Sequence, residues 1–306
     1  MRHEPVIDEP SGRKFYLDAP DDTAGRPLTL LLSLHGGGSF GAWQRLYFPA
    51  QDDADALGVV IATPTAATAE PVRRWSGPAD DAHLRSVVTQ LMDRFQPAAF
   101  WLVGHSQGGA TSRRLLADPF FAGRADGWLS LSGGRIGGVP RSATAGPPAL
   151  PGRPRLTLPP AELERMRAAQ SEPPDADLSF IFATGEHEIA ELPDTSAWAQ
   201  RYGAGARVRQ PDVVDTEPGQ VWDKIRESYS TPQWGLAPRP GTAQIYVYPG
   251  ARGGRVIADV VRLDKGHTEG LEPHITEELV KLMVAAPSGK LTAARRPAGS
   301  AAEGDR

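Results

Sequence analysis

Short continuous apolar runs alternate along this chain with longer segments whose apolar residues recur every three or four positions. A continuous run is what a strand covered on both faces requires, whereas the 3-and-4 spacing lays one apolar stripe along a helix. Read this way, "RKFYLD" (13–18) alternates and suits an early antiparallel strand. "PLTLLLSLH" (27–35), "LGVVIATP" (57–64), "AAFWLVGHS" (98–106), "DGWLSLSGG" (126–134) and "DLSFIFATG" (177–185) read as buried central strands. "AQIYVYPG" (243–250) and "RVIADVVRL" (255–263) read as a closing hairpin through "GARGG".

The clearest helix is "DDAHLRSVVTQLMDRFQP" (80–97), with Leu84, Val87, Val88, Leu91, Met92 and Phe95 on one stripe. Asp80 or Asp81 is placed to cap its start and Pro97 to end it, with His83 on the exposed side. A second helix is expected from just after Ser106 to before Pro119, and a third over "PHITEELVKLM" (273–283), opened by Pro273. Strands alternating with helices predict an α/β fold: a mostly parallel twisted sheet of about eight strands with helices on both faces. The expected organisation is one domain over 1–286, interrupted by irregular insertions at about 135–176 and 203–241 that suit lids, binding loops or plain surface excursions. The aperiodic segment 287–306 is expected to be disordered. No internal repeat is apparent.

Composition narrows the partners. A net charge of −4 and a pI near 6.0 give no electrostatic footprint for nucleic acid or an anionic membrane. No apolar run is long enough to span a bilayer, and the first twenty residues lack the apolar core of a secretion signal, so the expectation is a soluble cytoplasmic protein. With no cysteine there is no disulfide, thiolate nucleophile or Cys-ligated metal.

The chemistry centres on "LVGHSQGGAT" (102–111), which sets Ser106 between Gly104 and Gly108. With so many glycines, a G-x-S-x-G match arises by chance roughly 0.2 times in this chain, so context decides. An apolar strand runs straight into Ser106 and a helix follows it, the strand–turn–helix order of a nucleophile elbow. A serine needs a base, an orienting acid and an oxyanion site, in the chain order Ser, acid, His. His35 and His105 sit in glycine-rich motifs where the backbone is the expected working part, and His3 lies near the start of the chain. His187, His267 and His274 follow the serine; His267, just past the last strand in "LDKGHTEG", is the expected base, with His274 the alternative. The loop after 177–185 offers Glu188 as the acid, with Glu186, Glu191 and Asp194 as alternatives. The loop "LHGGGS" after the 27–35 strand lets main-chain N–H groups point inward, and Gly37 with Gln107 would supply the oxyanion donors. The loop has neither G-K-[ST] nor G-x-G-x-x-G, which argues against nucleotide. "EHEIAE" lacks the second histidine of a zincin helix, which argues against a metal site. No cofactor is expected.

These residues make the chain resemble the α/β-hydrolases, and more narrowly the polyhydroxybutyrate depolymerase and feruloyl esterase group. "LHGGGSFGAWQRLYFPAQDDADALGVVIATP" is similar to that group's loop, helix and strand block, "VGHSQGGA" to its elbow, and "YVYPGARGGRVIADVVRLDKGHTEG" to its closing hairpin and histidine loop. Together with "SFIFATGEHE" the likeness runs through most of 27–285. The resemblance implies Ser106 as nucleophile, His267 as base, and Gly37 and Gln107 as oxyanion donors. It departs at the acid, where the group generally has Asp and this chain has Glu188, and in lacking a Trp-Pro after the histidine. It also places Trp43 and Trp75 near the substrate pocket, with Trp234 in the second insertion; each suits either a pocket wall or the packing of its own loop. The expected activity is hydrolysis of small aryl, alkyl or hydroxyacid esters through an acyl-enzyme. Amide hydrolysis on the same fold, or a binding protein on an inactive scaffold, are the alternatives.

Overall fold

The computed structural model describes residues 2–70, 72–135, 172–189, 192–221, 232, 234–235 and 238–291. Among the described residues eleven strands form one sheet: β1 Arg2–Asp8, β2 Arg13–Ala19, β3 Thr29–Leu34, β4 Val59–Pro64, β5 Ala99–His105, β6 Gly127–Leu131, β7 Ser179–Gly185, β8 Val208–Arg209, β9 Val213–Val214, β10 Thr242–Val247 and β11 Ile257–Arg262. Their order is β1-β2-β4-β3-β5-β6-β7-β11-β10-β8, with β9 also pairing β10. From β4 to β11 every neighbouring pair is parallel. The hairpin β1–β2 and the strands around β10 run antiparallel at the edges.

Helices cover both faces: α1 Gly41–Tyr47, α2 Ala54–Leu57, α3 Pro78–Phe95, α4 Gln107–Leu115, α5 Pro119–Ala122, α6 Ala197–Arg201 and α7 Pro273–Val284. The period of two in the strands divides the core. Leu30, Leu32, Phe100, Leu102, Trp128 and Phe180 pack under α3 with Leu84, Val87, Val88 and Leu91. Leu31, Trp101, Val103, Leu129 and Ile181 pack on the other face with Ile275, Leu279 and Met283 of α7. Both faces being apolar is why these strands read as continuous apolar runs.

Parallel strands place their C-terminal loops at one edge of the sheet. Leu34 pairs with Gly104, His105 with Leu131, and Gly185 with Arg262, so the loops after β3, β5, β7 and β11 leave adjacent positions. The sheet order and the sharp β5–α4 turn at Ser106 constitute the α/β-hydrolase arrangement.

Several expectations need correction. The sheet has eleven strands rather than about eight, because β1 and the two-residue β8 and β9 carry no apolar pattern. The 203–241 region is accordingly only partly irregular. Residues 136–171, most of the first expected insertion, lie outside the described residues, as do 292–306. Residues 287–291 are not loose: Leu291 is buried and Lys290 donates to Asp126 and to the Ala122 carbonyl. His83 is fully buried, not exposed, with Nδ1 2.7 Å from Asp8 and 2.9 Å from Ser11, which ties the first hairpin to α3. Neither Asp80 nor Asp81 is the helix cap, since α3 opens at Pro78 after Gly77. Asp80 instead accepts from Ser76 N, Ala67 N and Arg13. No described helix is long and apolar enough to cross a membrane.

Candidate active site

At the end of β5 the backbone turns through Ser106 with φ 52° and ψ −115°, a region that costs a non-glycine residue about 1–3 kcal/mol. The surroundings hold it there. Ser106 N donates to Leu131 O at 2.8 Å, and its own carbonyl accepts from Gly109 N at 3.0 Å and Ala110 N at 3.2 Å. The flanking glycines are a steric requirement. A Cβ on Gly104 would sit 2.3 Å from the Gly108 carbonyl, and one on Gly108 would sit 2.2 Å from Leu34 O.

His267, in the loop after β11, reaches Ser106 Oγ with Nε2 at 2.8 Å. Its Nδ1 lies 2.6 Å from Glu188 Oε2. A carboxylate only accepts, so Nδ1 carries the proton, leaving Nε2 able to accept from the serine. Glu188 stands at the end of β7, where its other oxygen takes Ser132 Oγ at 2.6 Å and Gly185 N at 2.9 Å. Burial alone would raise its pKa, but the His267 imidazole and the hydrogen bonds from His267, Ser132 and Gly185 N outweigh burial and bring it down to about 2. The carboxylate is therefore ionised at neutral pH.

The alternative residues go elsewhere. Glu186 accepts from Asp264 N, Asp194 pairs with Arg207 on the surface, and Glu191 lies outside the described residues. His187 pairs with Asp264 at 2.8 Å, and His274 lies on α7 beside Glu277. His274, Glu277 and Glu278 come within ligand range of one another, yet Lys281 meets both carboxylates at 2.8 Å, as in an ordinary solvated charge cluster.

The glycine loop after β3 lies directly against the elbow. A Cβ on Gly36 would be 2.8 Å from His105 Nδ1 and 3.3 Å from Ser106 Cβ, and one on Gly37 would be 3.6 Å from Gln107 Oε1. Gln107 is the first residue of α4, so its N–H has no partner within the helix. Farther along the loop the N–H groups are committed, Gly38 to Arg73 O at 2.7 Å and Ser39 to Gly36 O at 3.2 Å. The two histidines of these motifs work through their rings as well as their backbones. His35 Nε2 accepts from Ala66 N at 3.0 Å and its Nδ1 donates to Gly36 O at 2.7 Å; burial depresses its pKa to about 4 and keeps the ring neutral. His105 Nε2 donates to His267 O at 2.9 Å, and its ring stacks on Tyr47 at 3.8 Å.

A cavity of about 250 Å³ opens beside Ser106 and His267, walled by the glycine loop, Trp43, Trp234 and Thr268. Trp234 stacks on His267 with centroids 5.1 Å apart, and its carbonyl receives both Thr268 N and Thr268 Oγ1 at 2.8 Å. Trp75 is not part of that wall. It is buried, with its ring 4.7 Å from His35 and its indole N–H donating to His35 O at 2.9 Å, so it braces its own loop. Ser132 and Tyr47, which support Glu188 and the His267 carbonyl, carry no signal in the sequence.

No family model matches the chain, and no curated protein matches it in sequence. Solved structures similar to it include the acetyl xylan esterase from Aspergillus awamori, at 13% identity over 93% of this chain and 100% of that chain, with a TM-score of 0.49. The ferulic-acid-bound Est1E from Butyrivibrio proteoclasticus has 14% identity over 60% of this chain and 78% of that chain, with a TM-score of 0.35. An S-formylglutathione hydrolase from Agrobacterium tumefaciens has 15% identity over 60% and 74%, with a TM-score of 0.37.

Proposed function

We propose that this chain is a serine carboxylesterase that hydrolyses small aryl, alkyl or hydroxyacid esters through an acyl-enzyme. The observation that carries the reading is the unbroken hydrogen-bond line from Ser106 Oγ through His267 to an ionised Glu188, with the serine on a strained turn. Ser106 Oγ attacks the ester carbonyl while His267 Nε2 accepts its proton. Glu188 holds the imidazole in the tautomer that can accept and stabilises the imidazolium. The N–H groups of Gly37 and Gln107 receive the oxyanion, each worth about 3 kcal/mol of transition-state stabilisation. His267 then protonates the departing alkoxide. Water, deprotonated by the same nitrogen, attacks the acyl-enzyme and releases the acid.

The small volume between Trp43 and Trp234 supports short acyl or alcohol groups over long chains. A series of p-nitrophenyl esters from acetate to octanoate, run beside methyl ferulate and hydroxybutyrate oligomers, tests this. Expected is turnover that is greatest for the short esters and abolished by Ser106→Ala. Failure of the wild type to cleave any ester would refute the reading.

A further inference from the structure

The loop that presents His267 contains a buried carboxylate that the reaction above does not use. Glu269 is 2% exposed, and its side chain folds back so that Oε2 accepts the N–H of Gly266, the residue before His267, at 2.6 Å. Its Oε1 meets Arg239 Nη1 at 3.1 Å. Arg239 also pairs with Asp264 Oδ2 at 3.1 Å and donates to the Asp264 carbonyl, so one guanidinium fastens the loop on both sides of the histidine.

Two features mark this as more than loop packing. Asp264 turns the chain at φ 55°, a left-handed conformation that Asp tolerates, and Arg239 holds both its carboxylate and its carbonyl there. A Cβ on Gly266 would lie 2.4 Å from Pro232 O, so the backbone before His267 is pressed against a neighbouring segment and has little room to shift. A buried carboxylate costs several kcal/mol unless a cation accompanies it, and Arg239 is that cation here, holding the acceptor oxygen in place beside the Gly266 N–H. The chain thus places an ion pair where its geometric consequence falls on the imidazole, whose contacts at 2.8 Å and 2.6 Å tolerate little displacement.

We propose that Glu269 is a positioning residue for His267, acting through the Gly266 N–H with Arg239 as its counter-ion, so that the imidazole stays in reach of both Ser106 and Glu188. This rests on the esterase reading for its kinetic readout. It also has a readout independent of activity, the low-field NMR proton of the His267 Nδ1–H bond to Glu188.

The test compares Glu269→Leu, Glu269→Asp and Glu269→Gln with wild type on the best p-nitrophenyl ester, with thermal unfolding and the low-field proton recorded for each. Leu removes the acceptor and Asp withdraws it by one methylene while keeping the charge. Each is expected to lower kcat roughly tenfold to a hundredfold with little change in KM, and to broaden or shift the low-field proton. Gln keeps an acceptor oxygen at the same reach and is expected to restore kcat to within roughly threefold of wild type, as a side chain of the same shape allows. If Leu fails to fold, Asp and Gln carry the comparison. A folded Leu or Asp variant with wild-type kcat and an unchanged low-field proton would overturn the proposal, as would Gln losing as much as Asp. If the wild type cleaves no ester, the esterase reading fails and the low-field proton alone decides the positioning role.

Discussion

His105 Nε2 donates to the main-chain oxygen of His267 at 2.9 Å, and the two imidazoles lie side by side with centroids 5.0 Å apart. Burial, reinforced by the neighbouring His267, depresses the His105 pKa to about 3, so a neutral ring supports the histidine proposed as the base. Both His105 and His35 are held below the ordinary value of 6.5. As pH falls below 6.5 the unfolded chain takes up protons that the folded one refuses, so these rings withdraw stability between pH 6.5 and about 4. Each contributes a slope of about 1.4 kcal/mol per pH unit. Chemical denaturation of wild type and His105→Gln at several pH values across that window should show a shallower loss in the variant, by about one proton; parallel curves would contradict the assignment.

The elbow gives a stability test that separates strain from chemistry. Ser106→Gly removes the side chain that makes φ 52° costly and should raise stability by up to about 1 kcal/mol while abolishing ester turnover. Gly108→Ala should do the opposite, because its Cβ would lie 2.2 Å from Leu34 O; loss of several kcal/mol or failure to fold is expected. An unperturbed melting curve for Gly108→Ala would show that the turn is looser than its contacts imply.

In the proposed mechanism Glu188, whose Oε2 lies 2.6 Å from His267 Nδ1, orients the imidazole by accepting its proton, so charge and reach both matter. Glu188→Gln should cost roughly 10³–10⁴-fold in kcat, since an amide can stabilise the wrong tautomer. Glu188→Asp, which keeps the charge, should retain far more. Because the folded pKa of Glu188 lies near 2, well below its ordinary value of 4.5, its stabilising contribution is complete above pH 4.5 and fades as pH falls toward 2. The Gln variant should lack that acid-dependent segment of the stability profile.

The expected strands match β2–β7, β10 and β11 to within a few residues, because β3–β7 and β11, buried on both faces, leave an unmistakable apolar run, while β2 and β10 are only partly buried edge-side strands with an apolar pattern of their own. Strand β1 escapes because "RHEPVID" carries Pro5 and charges, as an edge strand tolerates. His83 is misread because helical periodicity identifies the apolar stripe and leaves the rest as surface, while here the first hairpin covers that side with Asp8 and Ser11. That Ser106, Glu188 and His267 meet is legible because each follows the end of a parallel strand, where topology gathers side chains distant in sequence. Glu269, Ser132 and the stacking of Trp234 are not, since their roles come from loop geometry that no spacing encodes.

Trp43 and Trp75 look equivalent in the sequence and differ in the structure. Trp43→Ala enlarges the cavity and should shift the preferred acyl chain length upward with little loss of stability. Trp75→Phe removes the indole donor to His35 O and should cost about 1–2 kcal/mol of stability with an unchanged ester profile. A change in ester preference from Trp75→Phe alone would reverse these roles.

The central claim is that Ser106 is acylated with His267 as its base. Trapping by a small activated phosphonate, followed by intact-mass analysis and peptide mapping, tests this most directly. One adduct per chain is predicted, on the peptide containing Ser106, absent in Ser106→Ala and formed far more slowly in His267→Ala. Labelling of another residue, or ester turnover that survives in Ser106→Ala, would contradict it.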